Sequence, residues 1–191
     1  MTDSLAARWE AFTEAGRRCF ADKQFDKAEE AFLAALRAAE QLDESDPRLA
    51  QSLNNLARVY GRREKFFPAA ALLHRLLGIQ ERALGAEHPG LAGVVNNLAE
   101  MYARLGDAHQ ELELRERSLA IRVAAGGAAA NLVAPLEQRI EHLRRTLADE
   151  QAAAARSPSP ARSVRVPSPA QPAPLAPPLP ASLSSIPAPA V

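Results

Sequence analysis

The amino-acid sequence predicts an all-α protein built by stacking helical hairpins, and three observations carry that prediction. One phrase is written twice, as "SLNNLARVYG" from Ser52 and "VVNNLAEMYA" from Val94. Asn54, Asn55, Leu56, Ala57 and Tyr60 thereby return as Asn96, Asn97, Leu98, Ala99 and Tyr102, each 42 positions later. Within each copy the apolar residues fall at helical steps of three and four. Composition then divides the chain, because eleven of its 15 prolines lie after Arg156 and none of its 9 glycines does. The part before Arg156 is rich in Ala, Leu, Arg and Glu, which favour helix. A hairpin recurring at such a period cannot bury both faces of its helices alone, whereas stacked copies bury one continuous core.

The first repeat, residues 5–42, is a degenerate copy. Trp9, Phe12, Ala15, Gly16 and Cys19 line one helix, and Phe25, Ala28, Phe32, Ala35 and Leu36 the next, with "ADKQ" between them. The second, 46–85, opens at Asp46-Pro47, where the carboxylate caps free amides and proline sits in the first turn. Leu49, Leu53, Leu56, Ala57 and Tyr60 form its first stripe; Phe66, Ala69, Leu73, Leu76, Leu77 and Leu84 form its second. The link "GRREK" is short enough to force the two helices antiparallel. The third repeat, 88–125, opens at His88-Pro89, continues after "RLGD" with Leu112, Leu114, Leu119 and Ile121, and stops at Gly126-Gly127. A helix over 131–155 comes next, with Leu132, Leu136, Ile140, Leu143 and Leu147 on one side. No partner helix succeeds it, so it is expected to cap the open end of the stack. Trp9, in the first helix, is expected to report self-association through an end of the stack.

Residues 1–155 thus form the predicted domain and carry a net charge of −3, while the tail 156–191 carries +3 and no acidic residue. The tail's Pro/Ala/Ser-rich composition lacks the clustered apolar residues needed to offset ordering entropy, so it is expected to be disordered, as a solubilising tether or a second contact.

Several function classes are disfavoured. Cys19 is the only cysteine, which precludes an intrachain disulfide and fits a reducing, cytoplasmic location. The start "MTDSLAARWE" has no apolar signal core, and no apolar run has the length of a membrane span. Twenty arginines against three lysines suggest a GC-rich, bacterial coding sequence. No Gly-rich phosphate loop or nucleophile turn is present. His74, His88, His109 and His142 lack ligand spacing. No catalytic residue, cofactor or metal is therefore expected. A slightly acidic domain without basic-aromatic interleaving is not expected to bind nucleic acid.

The stretches "HP…NNLA..Y" and "KFFPAAALLHRLLGIQERALG" resemble the tetratricopeptide repeat, in the longer 42-residue form of kinesin light chains and their bacterial relatives. Residues 46–87 match best. Residues 88–125 match in their first helix only, because Glu111 and Arg115 stand where the second helix should carry small and aromatic residues. The resemblance implies a right-handed superhelix of three hairpins, with Ala57 and Ala69 at the closest helix approach and Tyr60 and Phe66 packed between paired helices. It also implies that the first helices line a concave surface that binds extended or helical segments of partner proteins.

The repeated asparagines lie off the apolar stripe, and a carboxamide both donates to and accepts from a peptide backbone. Asn54 and Asn96 suit binding while Asn55 and Asn97 brace neighbouring repeats, the plainer role being that one asparagine of each pair braces the next repeat. Residues one turn apart share a helix face, which adds Gln51, Arg58 and Arg62 around Asn54, Glu100 and Arg104 after Asn96, and Arg17 in the first repeat. Four arginines against Glu100 favour an acidic segment or a terminal carboxylate, unless they are plain solvated surface. The expected function is a protein–protein interaction scaffold or adaptor. The alternative is a structural subunit that self-associates or packs permanently in a larger complex.

Overall fold

The computed structural model describes residues 2–126 and 130–156, and every regular element among them is helical. Three hairpins are stacked in chain order: α1 (Thr2–Ala21) with α2 (Phe25–Ala39), α3 (Pro47–Arg62) with α4 (Phe66–Leu84), and α5 (Ala92–Leu105) with α6 (Ala108–Ala124). A 3₁₀ turn over Pro89–Leu91 leads into α5, and α7 (Ala130–Arg156) completes the stack. Each helix packs on the next in the chain, with α1 also reaching α3. The tail 157–191, expected to be disordered, lies outside the described residues, as does the side chain of Leu132.

Local chemistry fixes the helix boundaries. Asp46 Oδ1 accepts from the Arg48 amide at 2.9 Å, ahead of Pro47 in the first turn. His88 Nδ1 accepts from the Gly90 amide at 3.1 Å in the corresponding place. Asp107 does the same for α6 through the Gln110 amide at 3.0 Å. One left-handed residue turns the chain within each hairpin: Lys23 at φ 59°, Glu64 at φ 58° and Gly106 at φ 77°. Only the third copy uses glycine, the residue for which that conformation carries no Cβ penalty.

The core is a continuous seam of small and large residues. Ala28, Ala35, Ala57, Ala69 and Ala99 are buried among Phe32, Leu53, Leu56, Leu73, Val95 and Leu98. Helices α1 and α2 approach closely at Gly16, where an added Cβ would lie 2.7 Å from the Phe32 ring. Phe66 departs from its expected place between paired helices: it is half-buried and faces a cleft between α3 and α5. Leu84, the last residue of α4, is 47% exposed. On α6 the buried stripe is Glu111, Leu114, Ser118 and Ile121, so two polar residues occupy it while Leu112 and Leu119 are half-buried.

Trp9 does not report on self-association. It is 8% exposed, shielded by its own chain, and its Nε1–H donates to Ser52 Oγ at 2.7 Å. The hydroxyl in turn donates to the Arg48 carbonyl at 2.8 Å. Replacing Ser52 with alanine leaves the indole N–H buried without an acceptor, at a cost of about 1–3 kcal/mol. The expected fall in melting temperature is roughly 2–4 °C per kcal/mol. Fluorescence of Trp9, the single tryptophan, reads it directly.

Candidate interaction groove

Helices α3 and α5 run side by side on the face formed by the first helix of each hairpin, and a cleft of about 380 Å³ opens between them. Its floor is apolar: Phe20 from α1, Ala57 and Gly61 from α3, Phe66 and Leu73 from α4, and Met101 from α5. Its rim is charged. Arg58 lies over the Phe20 ring at 5.0 Å and Arg104 over the Phe66 ring at 4.5 Å, arrangements that hold a guanidinium without neutralising it. Arg104 also approaches Glu64 at 3.7 Å, with both side chains more than half exposed. Arg58 and Arg62 make no ion pair among the described residues. Glu100 is the cleft's one lining carboxylate.

The groove continues toward the N-terminal ends of both helices as a second hollow of about 470 Å³, which shares Asn54 and Asn97 with the first. Here Gln51, Gln80, Gly90 and Gly93 join the two asparagines, among the apolar side chains of Pro47, Ala50, Leu76 and Val94. Gln80 Oε1 is buried without a hydrogen-bond partner. Gly93 sits in α5 with ordinary helical backbone, and a Cβ added there would meet nothing within 4 Å. One end of the groove is thus cationic and aromatic, the other neutral and hydrogen-bonding.

Of the residues singled out in the sequence, Asn54, Arg58, Arg62, Glu100 and Arg104 converge on the cleft, and Gln51 on its extension. Arg17 is exposed on α1 and lines neither hollow. The two asparagine pairs are not equivalent. Asn54 is half-buried in the groove and Asn55 is 8% exposed. In the next repeat it is Asn97 that is exposed in the groove, while Asn96 accepts from Arg115 Nη1 at 3.3 Å. The aromatic floor escaped the sequence reading: helical spacing assigns Phe66 to packing, and Phe20 falls outside the first helix's apolar stripe.

Behind α5 lies a charged cluster in an otherwise apolar layer. Glu111 on α6 is 1% exposed and stands where the earlier repeats carry Ala28 and Ala69. Its carboxylate accepts from Arg115 Nε at 2.7 Å and from Arg139 Nε and Nη2 on α7 at 2.8 and 2.7 Å. Burial pushes this carboxyl upward, but the hydrogen bonds and charges of Arg139 and Arg115 outweigh it and hold the group below the ordinary range. The same pairing raises Arg139. The departure of α6 from the repeat pattern is therefore the seat of α7: the third repeat exchanges close-packed alanine for a doubly paired carboxylate that ties the closing helix in place. Among the described residues no group of three or more His, Cys, Asp and Glu is arranged to hold a metal, and no described helix is long and apolar enough to cross a membrane.

Residues 49–90 match the family model of the tetratricopeptide repeat. No curated protein sequence matches significantly. Among solved structures, BtubC (BKLC) of P. vanneervenii superposes with a TM-score of 0.66 at 21% identity, over 85% of this chain and 71% of that one. A kinesin-light-chain-like protein of Podosopora anserina with nearly identical TPR-like repeats gives 0.59 at 24% identity, over 80% and 77%. The N-terminal domain of stress-induced protein-1 (STI-1) of C. elegans gives 0.54 at 19% identity, over 73% and 96%. With its 42-residue phrase, its three hairpins and these likenesses, the chain has the tetratricopeptide-repeat fold, a right-handed superhelix similar to the kinesin-light-chain-like structures, and residues 49–90 carry the repeat itself.

Proposed function

We propose that the protein is a non-enzymatic, cytoplasmic adaptor that grips an acidic segment of a partner protein in the groove between α3 and α5. The observation that carries this reading is the pairing of a cationic, aromatic cleft with a carboxamide-lined extension in one continuous hollow. Arg58, Arg62 and Arg104 offer planar donors to carboxylates, Phe20 and Phe66 offer apolar surface, and Asn54, Asn97 and Gln51 offer donors and acceptors to a main chain irrespective of its sequence. The fold's other ends offer less. Helix α7 buries Leu136, Ile140, Leu143 and Leu147 and turns Glu137, Glu141 and Arg145 outward, so its outer face would present mostly charge to a second copy in the end-to-end self-association of a structural subunit.

Gly93→Leu tests the reading, because the new side chain projects into open groove and replaces a residue that weakens helix. Capture of the partner by the full chain should be lost while the melting temperature stays level or rises. Arg58→Ala with Arg62→Ala should weaken capture most at low salt, because high salt already screens the arginines' attraction. Undiminished capture by Gly93→Leu would place the partner elsewhere.

A further inference from the structure

We propose that Arg115, a residue outside the groove, determines the groove's preference for acidic segments by neutralising Glu100 from behind, and that α7 holds it in position to do so. The inference deepens the groove reading and rests on it. Arg115 is nearly buried, its side chain 12% exposed. The inner edge of its guanidinium is anchored by Nε on Glu111, and Glu111 is itself fixed by Nε and Nη2 of Arg139 on α7. A guanidinium is a rigid plane, so anchoring one edge aims the other. That outer edge reaches α5, with Nη1 3.3 Å from Asn96 Oδ1 and Nη2 3.3 Å from Glu100 Oε2. A chain of contacts thus runs from the closing helix through Arg139, Glu111 and Arg115 to the one carboxylate lining the cleft.

The consequence for charge is specific. With Glu100 held by Arg115, Arg58 and Arg62 stand unopposed, and Arg104 remains stacked on Phe66. Without Arg115, the Glu100 carboxylate stands unpaired on the groove wall. Arg104 lies four residues further along the same helix, the spacing at which glutamate and arginine pair. The released carboxylate therefore adds a negative charge to the groove and also draws away one of its cations. Both changes disfavour an acidic ligand. Arg115 and Arg139 are on this account positioning residues: they touch no partner and act through Glu100.

The test uses the full chain and a fluorescein-labelled octapeptide alternating glutamate and alanine, with a lysine–alanine octapeptide as control, read by anisotropy at low salt. Arg115→Met should weaken binding of the glutamate peptide by about three- to tenfold. Arg115→Lys keeps the charge but not the fork, so it should weaken binding similarly. Glu100→Gln should strengthen binding in both backgrounds, by a severalfold larger factor where Arg115 is absent. A purely structural role would not produce that dependence, and circular dichroism confirms that each variant is helical. Equal effects of Glu100→Gln in the two backgrounds, or an Arg115→Met protein that binds as the wild type does, overturn the inference while leaving the groove reading intact. A wild-type chain that ignores the glutamate peptide, or prefers the lysine one, overturns both.

Discussion

Truncating Phe32 to alanine is expected to lower the free energy of unfolding by about 3–5 kcal/mol, and adding one methyl group opposite it, as Gly16→Ala, by about 1–3 kcal/mol. The two effects share one cause. The ring is 3% exposed, so its removal leaves a void that α1 and α2 cannot close without moving together. A Cβ at position 16 would lie 2.7, 2.7 and 2.9 Å from the ring atoms Cδ1, Cε1 and Cζ, closer than carbon atoms approach. A ring so enclosed has little room to swing aside, and the helices must part. Because the two sites touch, they should not behave additively. Gly16→Ala should cost less in a Phe32→Leu background than alone. Thermal melts of the four proteins measure this coupling. A Gly16→Ala protein that melts with the wild type would mean that α1 and α2 do not meet at this register.

Gly16 and Phe32 were both legible in the sequence as residues lining the first hairpin, and so was most of the packing, because apolar periodicity is a local signal. The stripe Leu49, Leu53, Leu56 and Ala57 is buried as its spacing requires, and Ala69 is fully enclosed. The caps at Asp46 and His88 are equally local, each acting on an amide two residues away. What the sequence concealed depends on contacts between distant segments. The repeat pattern shows Glu111 standing at a packing position but not what lets a carboxylate be enclosed there, and Glu111 is among the most enclosed side chains of the fold. Its partner Arg139 lies in a different helix and outside the repeat period, so no spacing rule joins them. The groove shows the same division. Shared helix faces grouped Asn54, Arg58 and Arg62, which all line one cleft. They did not reveal that Asn97 faces the groove while Arg115 occupies Asn96, because that exchange is imposed by α6. Repetition predicts equivalence, and the third repeat is not equivalent, since its outer neighbour is the closing helix α7 rather than another hairpin.

Replacing Glu111 with alanine is expected to destabilise the fold by about 3 kcal/mol, near the lower limit for breaking a buried pair. The loss strands Arg115, which is 12% exposed, more than Arg139, which is 41% exposed and can return to water. The ionised carboxylate makes a related prediction for acid. Glu111 titrates below its unfolded value, so its contribution is complete above the ordinary carboxylate range and is lost as pH falls through the depressed folded value. Stability should therefore drop on acidification below about pH 4, and Glu111→Gln should lack that part of the drop while being less stable at neutral pH. Urea melts of both proteins between about pH 3 and 7, values chosen to span the ordinary carboxylate range, measure the difference; parallel pH profiles would show that the carboxylate is not ionised by its arginines. Destabilisation by the single change does not make the cluster the best way to hold α7. A buried ion triad exchanged for apolar residues of similar volume is often as stable or more so, by about 1–4 kcal/mol. The double change Glu111→Leu with Arg115→Met, which leaves the half-exposed Arg139 free to return to water, should accordingly fold and melt no lower than the wild type. It would still lose the contacts from Arg115 to Asn96 and Glu100. If it does fold so well, stability alone cannot be what the charges at this seam provide, and their remaining distinctive property is the reach of Arg115 into the wall of the groove.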